Sequence, residues 1–219
     1  MKLLVQTASM DDLRWAAAVG LLDGVHTTPL SLADATPSAR DRVVALAQVG
    51  GVPVHVAVHT LVGSEAYREA RDIARLHDQL VVHLPLVEDV IGAMHRLRAD
   101  GVRVAATMVF TPAQAILAAR AGASAVAVPL AAAAAAGLRV PDVLREIRAA
   151  LDGARAECDL IAEGPASPVE LAAAVVAGAD TVAAPVDLLR AALLHPSTDR
   201  CVEAFLHDVA RQPRPWGTE

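Results

Sequence analysis

Three histidines and a glutamate mark the ends of four short β-branched runs in this 219-residue sequence. They are His26 in Gly24–Thr27, His59 in Val54–His59, His83 in Leu80–His83 and Glu163 in Asp159–Glu163. Gln6, Thr28 and Thr107 stand at or beside the ends of comparable runs. Imidazole titrates near neutral pH, so two histidines and a carboxylate can supply a general base and a general acid. Enolisation, β-elimination, epimerisation and retro-aldol cleavage would all suit such a set. His83, His26 and Glu163 are therefore expected to be catalytic, with Gln6, Thr28, His59 and Thr107 binding substrate. Each also has an ordinary structural role open to it. His83 and His26 suit interior hydrogen bonding, His59 a rim position, Glu163 a solvated or capping carboxylate, and Thr107 an internal hydrogen bond.

The same residue types bind metals, but these come from separate runs without a tight local motif. No metal and no cofactor are expected, and a metal-dependent lyase using the His cluster is kept as an alternative. His55, low on the same face as His59, is expected to be buried structure or bottom-face surface. His77, His95, His195 and His207 fall on helices or their ends and are expected at the surface. Neither Gly50–Gly51 nor Gly137 resembles a phosphate-binding loop.

These side chains share one location only if the fold brings strand ends together. The strands expected are Leu3–Gln6, Gly24–Thr27, Val54–His59, Leu80–His83, Val102–Thr107, Ala125–Pro129, Asp159–Glu163 and Thr181–Ala184. Amphipathic stretches of roughly 10 to 15 residues separate them, the length of crossover helices. Examples are Ser64–His77, Val87–Ala99, Pro112–Ala121, Pro141–Gly153 and Pro168–Ala177. Gly122 and Gly178 sit where left-handed residues end helices, and Pro112, Pro141 and Pro168 suit first turns. Strict alternation predicts a (β/α)8 TIM barrel over 1–196, with a doubly wound open sheet as the competitor. Residues 197–219 would add a helix (Thr198–Arg211) and a frayed tail (Pro213–Glu219) to the same domain. The run Ala131–Ala136 fits either a loop or a helix start. In a barrel, Val54, Val56 and Val58 face the helices, while His55, Ala57 and His59 face inward.

Composition narrows the partners. A net charge of −6 and the absence of basic runs argue against nucleic acid. Mean hydropathy is +0.41, yet no apolar stretch reaches the ~18 to 20 residues of a membrane span. Two cysteines make no disulfide framework. A cytoplasmic protein acting on a small molecule is expected, without membrane or nucleic acid. Val202, Phe205, Leu206 and Val209 form an apolar stripe that would assemble a homo-oligomer through the C-terminal helix.

Several segments resemble the transaldolase family, in particular its short branch of small transaldolases and fructose-6-phosphate aldolases. Gly20-Leu-Leu-Asp-Gly-Val-His-Thr-Thr-Pro29 is similar to GLLDGVTTNP, and Val81-Val-His-Leu-Pro85 to VVKIP. Ala106-Thr-Met-Val-Phe-Thr111 is similar to VTLVFS, Ala184-Pro-Val-Asp-Leu188 is a further anchor, and His195-Pro-Ser-Thr-Asp199 resembles HPLTD. The resemblance implies the barrel and, in the family, a Schiff base on a fourth-strand lysine, because an iminium accepts electrons far better than a ketone. That position is His83, and of 19 basic residues only Lys2 is a lysine. Lys2 opens the first strand, at the other end of the barrel. The family's first-strand Asp is Gln6, its third-strand Glu or Gln is Ala57, its TTNP asparagine is Thr28, and the Thr two residues earlier is His26. Its sugar-phosphate grip falls on Ala132, Gly164 and Ala166, leaving Arg139 as the upper-loop cation. The expectation is a divergent, lysine-independent lyase, isomerase or cyclase for a small unphosphorylated carbonyl or polyol compound. A non-catalytic binding relative is the alternative.

Overall fold

A computed structural model describes residues 1–33 and 35–211. The chain begins with β1 (Lys2–Gln6), α1 (Met10–Ala18), β2 (Gly24–His26), α2 (Pro29–Leu32) and α3 (Ala39–Gly50). It continues through β3 (Val54–Ala57), α4 (Gly63–Ala74), β4 (Leu80–Pro85), α5 (Glu88–Ala99) and β5 (Val104–Thr107). Next come α6 (Pro112–Ala121), β6 (Ala125–Pro129), α7 (Leu130–Ala135), α8 (Val140–Gly153) and β7 (Asp159–Glu163). The last elements are α9 (Pro168–Val176), β8 (Thr181–Pro185), α10 (Val186–Ala192) and α11 (Pro196–Val209). All eight strands pair in parallel in chain order, and β8 pairs back onto β1, so the sheet closes into a TIM barrel. An open doubly wound sheet is excluded.

Alternation along each strand divides two cores. Outward residues such as Val5, Val82, Val126 and Leu160 pack under the helices. Leu4, Val81, Ala105, Ala125, Ala127, Ile161 and Ala183 form a separate cluster inside the barrel. Most of these are small, which leaves room for larger polar rings further up. Helix ends carry the expected punctuation. Thr111 caps α6 in a reciprocal pair with Gln114, Pro112 following it in the first turn. Gly122 and Gly178 have φ of +110° and +100°, a region costly for residues with a Cβ.

Two strand ends beside the cluster differ from expectation. β3 stops at Ala57, where its pairing with β4 ends at Ala57–His83, so the alternation does not extend to His59. β4 continues to Pro85, paired with Thr107. The alanine run takes the helical one of its two expected forms, as α7. No residue of α11 is buried, and Val202, Phe205, Leu206 and Val209 are all exposed. The expected frayed tail, Pro213–Glu219, lies outside the described residues.

Gly24 is where the barrel interior tolerates no side chain. A Cβ there would lie 2.5 Å from Leu4 Cδ2 and 2.9 Å from the Pro53 carbonyl oxygen. Gly24→Ala should therefore lower stability by about 1–3 kcal/mol through overpacking, read from the urea midpoint. An unchanged midpoint would show that β2 does not need this close approach.

Candidate functional site

His26, His83 and Glu163 stand together inside the upper barrel. Each occupies the inward phase of its strand, in register with Gln6, Ala57 and Ala183 respectively. Nε2 of His26 is 3.1 Å from Oε1 of Glu163, and Nδ1 of His83 is 3.5 Å from the same oxygen. The side chains are 8%, 4% and 14% exposed for His26, His83 and Glu163, so the carboxylate keeps the most access to solvent. Thr107, inward at the end of β5, also favours the charged form of this carboxylate.

A carboxylate in such a place must be compensated or it will take up a proton. Burial pushes the Glu163 pKa up, but His26, His83 and Thr107 outweigh it and hold the carboxyl below its usual range. Glu163 is thus an ionised, acceptor-only group, and Nε2 of His26 donates to it. In the neutral ring Nδ1 of His26 is then a lone pair, and it is buried without a protein partner. An unpaired buried acceptor costs roughly 1–3 kcal/mol, so its presence is informative.

A third ring extends the cluster downward. Nδ1 of His55 lies 2.7 Å from Nε2 of His83, with both rings buried. Burial, reinforced by His26, Arg103 and Lys2, pulls His55 down to about 3. Burial, with His55 and His26 adding to it, holds His83 well below the imidazole range. Both rings are neutral near pH 7. One consistent pattern has His55 Nδ1–H donating to His83 Nε2, and His83 Nδ1–H directed at Glu163.

The other expected residues are distributed less simply. Gln6 is half-buried beside Gly164 and lines a groove with Thr7, Ser9, Met10, Ser31 and Arg42. Thr28 commits its hydroxyl to Ser31 N as the cap of α2. His59 is exposed, and its Nδ1 pairs with Glu69 of α4 at 2.8 Å instead of joining the cluster. Its placement follows from β3 ending two residues earlier. His55 was expected low in the barrel or on its bottom face; it is buried and bonded directly to His83. Arg42 was also absent from the expected upper cations. It lies in the first turns of α3, and helix N-termini border the mouth as the loops do. Arg139 faces Asp142 at 3.2 Å. Met108, directly after Thr107, has a φ of +61° and an exposed side chain, a feature no pattern announced.

Lys2 is far from all of this. Its Nζ pairs with Asp159 at 2.8 Å, and Asp159 opens the strand that Glu163 ends. Four residues of strand separate them, roughly 13 Å.

Residues 39–216 match the family described as transaldolase/fructose-6-phosphate aldolase. A probable transaldolase of Prosthecochloris aestuarii is 30% identical over 225 residues, covering 96% of this chain and 98% of that protein. One from Petrotoga mobilis is 32% identical, covering 95% and 94%. Among solved structures, one titled "Native KDPGal structure" has a TM-score of 0.59 at 18% identity, covering 83% of this chain and 80% of that one. A cube-shaped protein cage designed by fusing symmetric oligomeric domains has a TM-score of 0.60 at 19% identity. It covers 85% of this chain but only 63% of its own length is matched. Both structural likenesses bear on the fold alone.

His55→Ala would leave Nε2 of His83 buried without its partner. A loss of about 1–3 kcal/mol in unfolding free energy is expected, measured by urea denaturation beside His77→Ala. Equal stability of the two variants would mean the His55–His83 contact contributes nothing.

Proposed function

Because the chain belongs to the transaldolase/fructose-6-phosphate aldolase family, we propose that it is an aldolase-type enzyme working without an imine. In this reading the reactive centre is the His26–Glu163–His83 cluster. The observation that carries it is the buried carboxylate–imidazole pair whose distal nitrogen, Nδ1 of His26, has no protein partner. Glu163 fixes the tautomer and would stabilise the imidazolium formed when Nδ1 takes a proton. His83, directed at the same carboxylate, is the second proton carrier, and Thr107 helps hold the carboxylate. Proton removal next to a carbonyl, with return of a proton to oxygen or carbon, covers lyase, isomerase and cyclase outcomes alike.

The absence of lysine at the β4 position, where His83 stands, and the pairing of Lys2 with Asp159 support lysine independence. Arg139 pairs with Asp142, and the positions corresponding to the family's phosphate grip are Ala132, Gly164 and Ala166. This supports a small unphosphorylated carbonyl or polyol substrate, with Gln6 as a contact in the adjoining groove, whose wall carries the Asp11 carboxylate as well as Arg42. The exposed stripe on α11 supports assembly with further copies of the chain, since an apolar face of this kind is commonly covered.

Burial of the cluster favours a second reading. Rings that satisfy one another inside a barrel can also be a polar plug, leaving a non-catalytic binding relative. Exchange of α-protons of dihydroxyacetone and hydroxyacetone with D2O, followed by NMR, separates the two. Wild-type protein should accelerate exchange, and His26→Ala and His83→Ala should each lose about 10²- to 10⁴-fold. Full exchange in both variants would reject the acid–base reading; wild-type protein with no effect on any small carbonyl would favour the plug.

A further inference from the structure

Among the described residues, His26, His83 and Glu163 are the group whose donor atoms all lie within 4.8 Å of one another, a spacing suited to a shared metal ion. We propose that they form a binding site for one divalent first-row transition ion of the zinc class, entered from the barrel mouth.

Three measurements support coordination beyond simple hydrogen bonding. Donors around a tetrahedral ion with bonds near 2.0–2.1 Å lie roughly 3.3 Å apart. The two contacts to Glu163 Oε1 are 3.1 and 3.5 Å, and of these the first alone is a hydrogen bond. Two imidazoles on one such ion place their ring centroids roughly 5 Å apart. Those of His26 and His83 are 5.1 Å apart and inclined at 76°.

The surroundings fit as well. A ligating histidine usually directs its other ring nitrogen to a fixed acceptor, which sets its tautomer. His83 has that acceptor in His55 Nδ1 at 2.7 Å. Binding through Nδ1 of His83 moves its proton to Nε2, which then donates to Nδ1 of His55 as the His55 proton moves to its own Nε2; the proton of His26 likewise moves from Nε2 to Nδ1. No net proton need leave. Glu163 is a partly buried carboxylate, 14% exposed, that pairs with His26 and His83 and with no lysine or arginine. A cation inside the barrel answers that charge directly.

Two imidazoles and one carboxylate select zinc, iron, cobalt or nickel over magnesium or calcium, which prefer oxygen donors. Three protein donors leave a position open, as catalytic sites do and structural ones do not. An ion there would polarise a carbonyl oxygen, supplying the electron sink that the family obtains from lysine. Metal binding and the metal-free acid–base chemistry exclude one another, because ligation through Nε2 of His26 moves its proton onto Nδ1, the lone pair which that chemistry uses.

Chelator-treated full-length protein titrated with Co²⁺ provides the test. Saturable binding of about one ion per chain is expected, with the visible d–d absorption of a four- or five-coordinate site. Zn²⁺ should displace Co²⁺ and raise the melting temperature of wild type. Glu163→Gln, close in shape and checked by circular dichroism, should lose both effects, as should His83→Gln. His55→Ala should weaken binding roughly 10- to 100-fold, while His95→Ala on α5 binds as wild type. No saturable binding by wild type, or a Co²⁺ spectrum unchanged in Glu163→Gln, overturns the site. α-Proton exchange by the metal-free protein is read separately. Binding without metal-free exchange, but with exchange restored by Zn²⁺, keeps the metal site and rejects the acid–base reading. Exchange without binding does the reverse.

Discussion

The Glu163 carboxylate is the constraint from which the rest of the upper barrel follows. An ionised group so largely shielded from water is tolerable only with compensation around it. Two imidazoles and Thr107 supply it from β2, β4 and β5, His26 by a direct hydrogen bond. Those rings are large, and the barrel accommodates them because its neighbouring inward positions are small: Gly24, Ala57, Ala105, Ala127 and Ala183. An interior of this kind relies on many small residues and few aromatic ones. The high alanine content is thus compatible with the site and with close backbone approach throughout.

On the proposed reading, the same carboxylate sets this chain's chemistry apart from that of the family to which it belongs. Imine formation needs an amine near the substrate carbonyl, and the one lysine lies at the foot of the barrel against Asp159. With His83 at the corresponding β4 position, we propose that electron demand in the substrate is met by proton transfer or by a bound cation. Both depend on Glu163 remaining ionised and oriented. The His55–His83 contact adds a second layer that fixes ring orientation from below.

Much of the architecture could be read from residue order. Alternating Val, Leu and Ala runs located all eight strands, and helix-starting prolines and helix-ending glycines located the crossovers, because these signals are local. His26, His83 and Glu163 were legible for the same reason, since each lies at or near the upper end of an inward phase. The His55–His83 bond was not, because it depends on how far β3 and β4 are staggered, which no single run records. His59 was misplaced by extending alternation past the last paired residue, Ala57. Thr28, expected to contact substrate, also accepts from Ser31 N at the start of α2, a local capping pattern. Arg42 carries no loop signal, because it sits in the first turns of α3 beside the mouth.

Intact-mass analysis after borohydride treatment during turnover of a small carbonyl substrate tests the central claim most directly. An imine on any amine would be reduced to a stable adduct and the enzyme would lose activity. Carbonyl chemistry centred on Glu163 and its two histidines predicts an unmodified mass and undiminished turnover. A substrate-sized mass increase on Lys2 or the terminal amine, accompanied by inactivation, would contradict it.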